Sequence, residues 1–79
     1  MAPPNLRTFE KKVFERVGQD EDLSKDLHRF MTDLRLKRQF VFGRRHEIPL
    51  FAAESAFKNP SKLIKKLQMA IQESRESKR

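Results

Sequence analysis

Apolar residues recur along this chain in short stripes separated by charged and turn-forming positions. Leu6, Phe9, Val13 and Val17 follow one another at the steps of a helix face. Asn5 stands just ahead of them, where its side chain can accept from the first free amides, behind a Pro3-Pro4 stop. Gly18 closes the stripe as a glycine just past a helix end would. The pattern predicts a helix over about 6–17. A second stripe, Leu23, Leu27, Phe30, Met31 and Leu34, opens on the acids Asp20, Glu21 and Asp22 and runs into Arg35, Lys37 and Arg38. Those signs suit the partial charges at the two ends of a helix. They predict a second helix over about 21–37.

The period then breaks. Phe40-Val41-Phe42 is three consecutive apolar residues, too short a run to assign by periodicity, and Gly43 follows it. With no second strand to pair with, the reading is an irregular or extended connection over 39–47, not a sheet. In an extended run Phe40 and Phe42 share a side, and one or both are expected to plug the gap between the second and third helices. Ile48 precedes Pro49 and is pushed toward an extended conformation. Pro49 can open a short helix over about 49–57, and Asn59-Pro60 repeats the device for a helix over about 60–73. That last helix carries Leu63, Ile64, Leu67, Ala70 and Ile71 on one face.

The expected fold is therefore all-α, a compact four-helix domain over residues 6–73, with an N-terminal tail at 1–5. Residues 74–79 lack an apolar anchor and are expected to form a disordered C-terminal tail. A chain of 79 residues holds one core and buries only about 60% of the surface its unfolded form exposes. Loss of one central anchor, such as Phe30 or Leu67, should be enough to unfold it.

Composition narrows the function more than the fold. There is no cysteine, which excludes a disulfide framework and a thiolate zinc site. The start of the chain, "MAPPNLRTFEKK", lacks the apolar run of a secretory leader. No apolar stretch approaches the ~20 residues that would span a bilayer. The expectation is a soluble intracellular protein, nuclear or cytoplasmic. The net charge is +7, and residues 35–79 hold twelve of the eighteen cations against four of the eleven acids. Such an excess attracts polyanions.

Catalysis finds little support. The two histidines, His28 and His46, read as a helix-flank residue and a loop residue beside charges, since a metal needs three or four convergent ligands. Asp22 and Asp26 share a helix face, but acids in a first turn serve the helix dipole. Two glycines are too few for a phosphate-cradling loop. No cofactor, metal or small-molecule substrate is expected, and no enzyme activity. A helix-turn-helix about Gly18 would aim Asp20, Glu21 and Asp22 at a phosphate-rich groove and be repelled.

Two basic groups remain. The first is Arg35, Lys37, Arg38, Arg44 and Arg45, with His46 beside them; the second is Lys62, Lys65 and Lys66, with Lys58 nearby. The planar fork of arginine suits phosphate and guanine, and lysines off the apolar stripe suit backbone contacts. Phe40 and Phe42 could stack on bases, but a small core has more use for them as anchors that position the arginines. The expected function is a small basic binding module that holds DNA or RNA through phosphate contacts. The alternative is a protein-interaction domain whose helices form a groove for a partner helix or an acidic peptide.

Two partial resemblances accompany this reading. "DLHRFM" followed by "FGRRHEIPLF", within residues 26–51, is similar to part of the ARID class of helical DNA-binding domains, without the glycine pair and tryptophan usual further on. "RTFEKKV" and "IPLFAA" resemble harmonin-homology domains, helical modules that hold partner peptides, without a whole middle helix. Neither is adopted as a family assignment.

Overall fold

The computed structural model describes residues 5–76; the Pro3-Pro4 stop lies outside them. Among the described residues the chain forms five α-helices and no strand: α1 Leu6–Val17, α2 Ser24–Thr32, α3 Leu34–Phe42, α4 Leu50–Ala56 and α5 Pro60–Glu76. A single 3₁₀ turn, Glu21–Leu23, leads into α2. The all-α class is as the apolar pattern predicts.

Helix α1 keeps its predicted limits, with a side-chain cap at its start. The Asn5 side chain accepts from the amides of Arg7 at 2.9 Å and Thr8 at 3.2 Å. Gly18 donates its N–H to the Phe14 carbonyl in right-handed geometry, so it does not serve as a left-handed cap.

The predicted 21–37 helix is interrupted at Asp33, whose backbone turns extended. Its carboxylate caps α3 by accepting from Leu36 N at 3.1 Å. Just before it, the Thr32 hydroxyl donates back to the His28 carbonyl at 2.9 Å. Residues of this kind offer the backbone a local alternative to continuing a helix. The break turns Leu34 outward, 66% exposed, although it was the last member of the predicted stripe.

The 39–47 connection is corrected in the same region. Phe40, Val41 and Phe42 are the final turn of α3, and irregular chain begins only at Gly43. A helix resolves the apolar triplet differently from an extended chain. Residues 40 and 41 both reach the buried side with Leu36 and Lys37, while residue 42 falls on the opposite face.

Three rings form the centre of the core, one from each of the first three helices. Phe9, Phe30 and Phe40 lie 5.9–6.3 Å apart, and Phe30 meets both of the others edge to face. Val13, Val17, Leu23, Leu27, Val41, Ile48, Ala53 and Phe57 extend this cluster, closed by Leu63, Leu67, Ala70 and Ile71 of α5. The main helix–helix interface is between α1 and α5.

Helix α5 is longer than the apolar pattern predicted. Residues 74–76, assigned to a tail, continue the helix; 77–79 lie outside the described residues. The extension is held by polar groups. Ser74 is buried with its hydroxyl 2.7 Å from the Ile71 carbonyl, and Glu73 takes two hydrogen bonds from the Arg16 guanidinium, the longer at 2.7 Å. The start of α5 is fixed from a distance. The buried Asp26 carboxylate accepts from the amides of Lys58 at 2.8 Å and Asn59 at 2.7 Å.

Candidate nucleic-acid interface

The Asp33 break sets the phase of α3 and so decides which side chains reach water. With Lys37, Phe40 and Val41 inside, the outward face carries Arg35, Arg38, Gln39 and Phe42. These positions are one and two turns apart on a single helix stripe. Arg44 and Arg45 continue the exposed surface beyond the helix. None of the four arginines enters an ion pair among the described residues.

The loop that bears Arg44 and Arg45 is anchored on both sides of that pair. Gly43 donates its N–H to the Gln39 carbonyl, and a Cβ there would collide with that same oxygen. His46 follows at φ 51°, the one non-glycine residue in left-handed backbone among those described. This conformation turns its ring inward. Nδ1 lies 2.9 Å from the Phe40 carbonyl, so it carries the proton, and the ring packs beside Phe40 at 6.1 Å. Its Nε2 is buried with no hydrogen-bond partner among the described residues. The His46 carbonyl accepts from Gln68 of α5 at 3.3 Å, and Ile48 is buried in the core. His46 is therefore a core pin and not an exposed member of the basic group. An open cleft of about 620 Å³ lies alongside, lined by Gln39, residues 43–50 and Ile64.

The remaining sequence candidates are dispersed. Lys37 is buried at 8% exposure, its ammonium 3.6 Å from Glu10 of α1. Lys62 is 3.0 Å from Asp20 and 4.0 Å from Asp22. The hydrogen bond between them raises the Lys62 pKa and lowers that of Asp20. Lys66 is half-buried on the wall of a separate cleft shared with Arg16, Gln19, Asp20, Glu21 and Asp22. Lys65 is exposed and in no ion pair among the described residues. The structure thus leaves Arg35, Arg38, Arg44 and Arg45 exposed along α3 and the loop after it, with Arg35 on one cleft and Arg44 and Arg45 on another. Lys62 and Lys66 lie beside the acids at 20–22, and Lys65 stands apart from any ion pair among the described residues.

Two residues on the arginine surface were not singled out as contacts by the sequence. Gln39 offers an amide donor and acceptor, and Phe42 remains 56% exposed. Phe40 anchors the core as expected; Phe42 does not. The signal for both was helical spacing from Arg35, legible once α3 is extended to residue 42.

Among the described residues no three His, Cys, Asp or Glu side chains gather to hold a metal ion. No helix among them is long and apolar enough to cross a membrane. The fold is a small all-α domain with exposed arginines on α3 and on the loop that follows it. No family model, curated protein or solved structure matches the chain.

Proposed function

We propose that this domain is a non-enzymatic helical module, nuclear or cytoplasmic, that binds nucleic acid through Arg35, Arg38, Arg44 and Arg45. The observation that carries the reading is their joint exposure, without acid partners among the described residues, on a helix end and an anchored loop. Guanidinium groups held in this way donate to phosphate oxygens and release condensed counterions. Four such contacts give a log–log salt slope of about −3 to −4. Fluorescence polarisation with a labelled oligonucleotide over a salt series tests this. The Arg44→Ala/Arg45→Ala double variant should weaken binding and flatten the slope by about 1.5 to 2. An affinity indifferent to salt would overturn the reading.

A second reading, a protein-interaction domain, draws on a different surface. Phe14 is 56% exposed and lines a mostly apolar cleft of about 280 Å³ with Gly18, Ser24, Leu27, His28 and Met31. A partner helix could seat one large apolar side chain there. On this reading Met31→Ala abolishes partner binding while the double arginine variant alters mainly the association rate.

A further inference from the structure

We propose that the preferred nucleic acid is single-stranded, with one base stacked on the ring of Phe42. The inference rests on the nucleic-acid reading and deepens it.

Four of the seven phenylalanines, Phe9, Phe30, Phe40 and Phe57, are buried, while Phe14, Phe42 and Phe51 are exposed. Their settings differ. Phe14 is followed by Glu15 and opens on an apolar cleft, and Phe51, on the short α4, lines a cleft with Arg29 and Arg35 but also with Asp33 and Ala52. Phe42 stands among arginines. Arg38 lies one turn earlier on the same face, Arg35 two turns earlier, and Arg44 and Arg45 directly after the helix ends.

The acids nearest in sequence, Asp33 and Glu47, line the clefts beside Arg35 and beside Arg44 and Arg45. Neither forms an ion pair with these arginines among the described residues, so four guanidinium groups face two carboxylates. The ring therefore stands where a polyanion is drawn and where a flat apolar face can be covered. Gln39, one turn before Phe42, adds an amide that can donate to and accept from a base edge.

The strand type follows from what such a ring can reach. In a duplex both faces of each base are covered by neighbours, and an exposed phenylalanine gains contact only by wedging between steps. In a single strand the faces are open, and stacking on an aromatic ring is tolerant of sequence. Cations flanking the ring hold the phosphates on either side of the stacked base. Arginine provides position and salt dependence, and Phe42 provides discrimination between strands.

The experiment compares a labelled oligothymidylate with a duplex of equal length by fluorescence polarisation, at low and moderate salt. The single strand should bind more tightly. Phe42→Ala should weaken it by about ten-fold with an unchanged salt slope, and leave duplex affinity unaltered. Phe42→Tyr should retain binding, and Phe42→Leu, apolar but without a π face, should lose most of it. Equal thermal melts for the variants separate stacking from folding. Equal affinity for both strand types, or full binding by Phe42→Ala, overturns the proposal. The nucleic-acid reading still stands in that case if Arg44→Ala/Arg45→Ala loses affinity. Absence of binding to either oligonucleotide overturns both, as does binding only to an acidic peptide.

Discussion

The ring of Phe40 lies 5.9 Å from the rings of both Phe9 and Phe30, while Phe42, two residues on, keeps more than half its surface in water. Truncating a buried phenylalanine costs about 3–5 kcal/mol, much of the stability a domain of this size has. A surface truncation away from caps and pairs stays within about 0.5 kcal/mol. Urea denaturation should therefore show Phe40→Ala largely unfolded and Phe42→Ala close to the parent protein. Lys37 and Arg38 make a second such pair of neighbours. Lys37 buries its stem and meets Glu10, so Lys37→Ala should cost about 1 kcal/mol and leave the salt slope of oligonucleotide binding alone. Arg38→Ala should do the reverse, with an unchanged midpoint and a shallower slope. Composition suffices to suggest that a phenylalanine at 40 is buried. The outward placement of Phe42 depends on whether the triplet is helix or strand, and three residues do not carry a period.

At the scale of elements, local signals set the start of α1. That start follows from the Asn5 cap, which lies within the sequence window that predicts it, and α1 ends before Gly18 although that glycine keeps right-handed backbone. The break at Asp33 was hidden because Leu27, Phe30, Met31 and Leu34 continue one stripe across it. Its cause is again local, in the Asp33 and Thr32 side chains, but it competes with a periodic signal that points the other way. The start of α5 was legible from Asn59-Pro60, while its tertiary support was not. Asp26 caps amides 32 and 33 residues away, and no window around Asp26 contains them. The same reasoning applies to His46, whose partner is the Phe40 carbonyl and whose inward turn depends on a left-handed φ. The Asp26 contact carries a definite expectation. Asp26→Ala strands two amide donors in a part-buried site, and leaving such donors unpaired costs about 2 kcal/mol, a fall in Tm on the order of 10 °C. Asp26→Asn keeps one acceptor oxygen and should fall between. Hydrogen exchange at Lys58 and Asn59 should speed up in both variants, with α1 little changed.

For the molecule as a whole, two ion pairs tie the end of α1 and the turn after it to α5. Hydrogen bonding from Arg16 holds the Glu73 carboxyl below its usual range, and hydrogen bonding from Lys62 does the same for Asp20. In the unfolded chain both return to ordinary carboxylate behaviour, so the folded state binds fewer protons than the unfolded one as pH falls into that range. Stability from these pairs is fully present above the ordinary carboxylate range. It declines as pH falls through that range and is gone below the depressed folded values. Acidification also neutralises the remaining acids and exposes the cationic excess behind the +7 charge, so every variant should lose stability. The contribution of one pair must therefore be read as a difference. Glu73→Gln keeps an acceptor oxygen for Arg16 and removes the titrating charge. Its melting temperature should lie below the parent at neutral pH, and the gap should close as pH falls through the carboxylate range. A gap that persists below that range would mean the Glu73 contact acts through shape and hydrogen bonding alone, with no part for its charge. Because both members of the pair are partly exposed, moderate salt should narrow the neutral-pH gap as well.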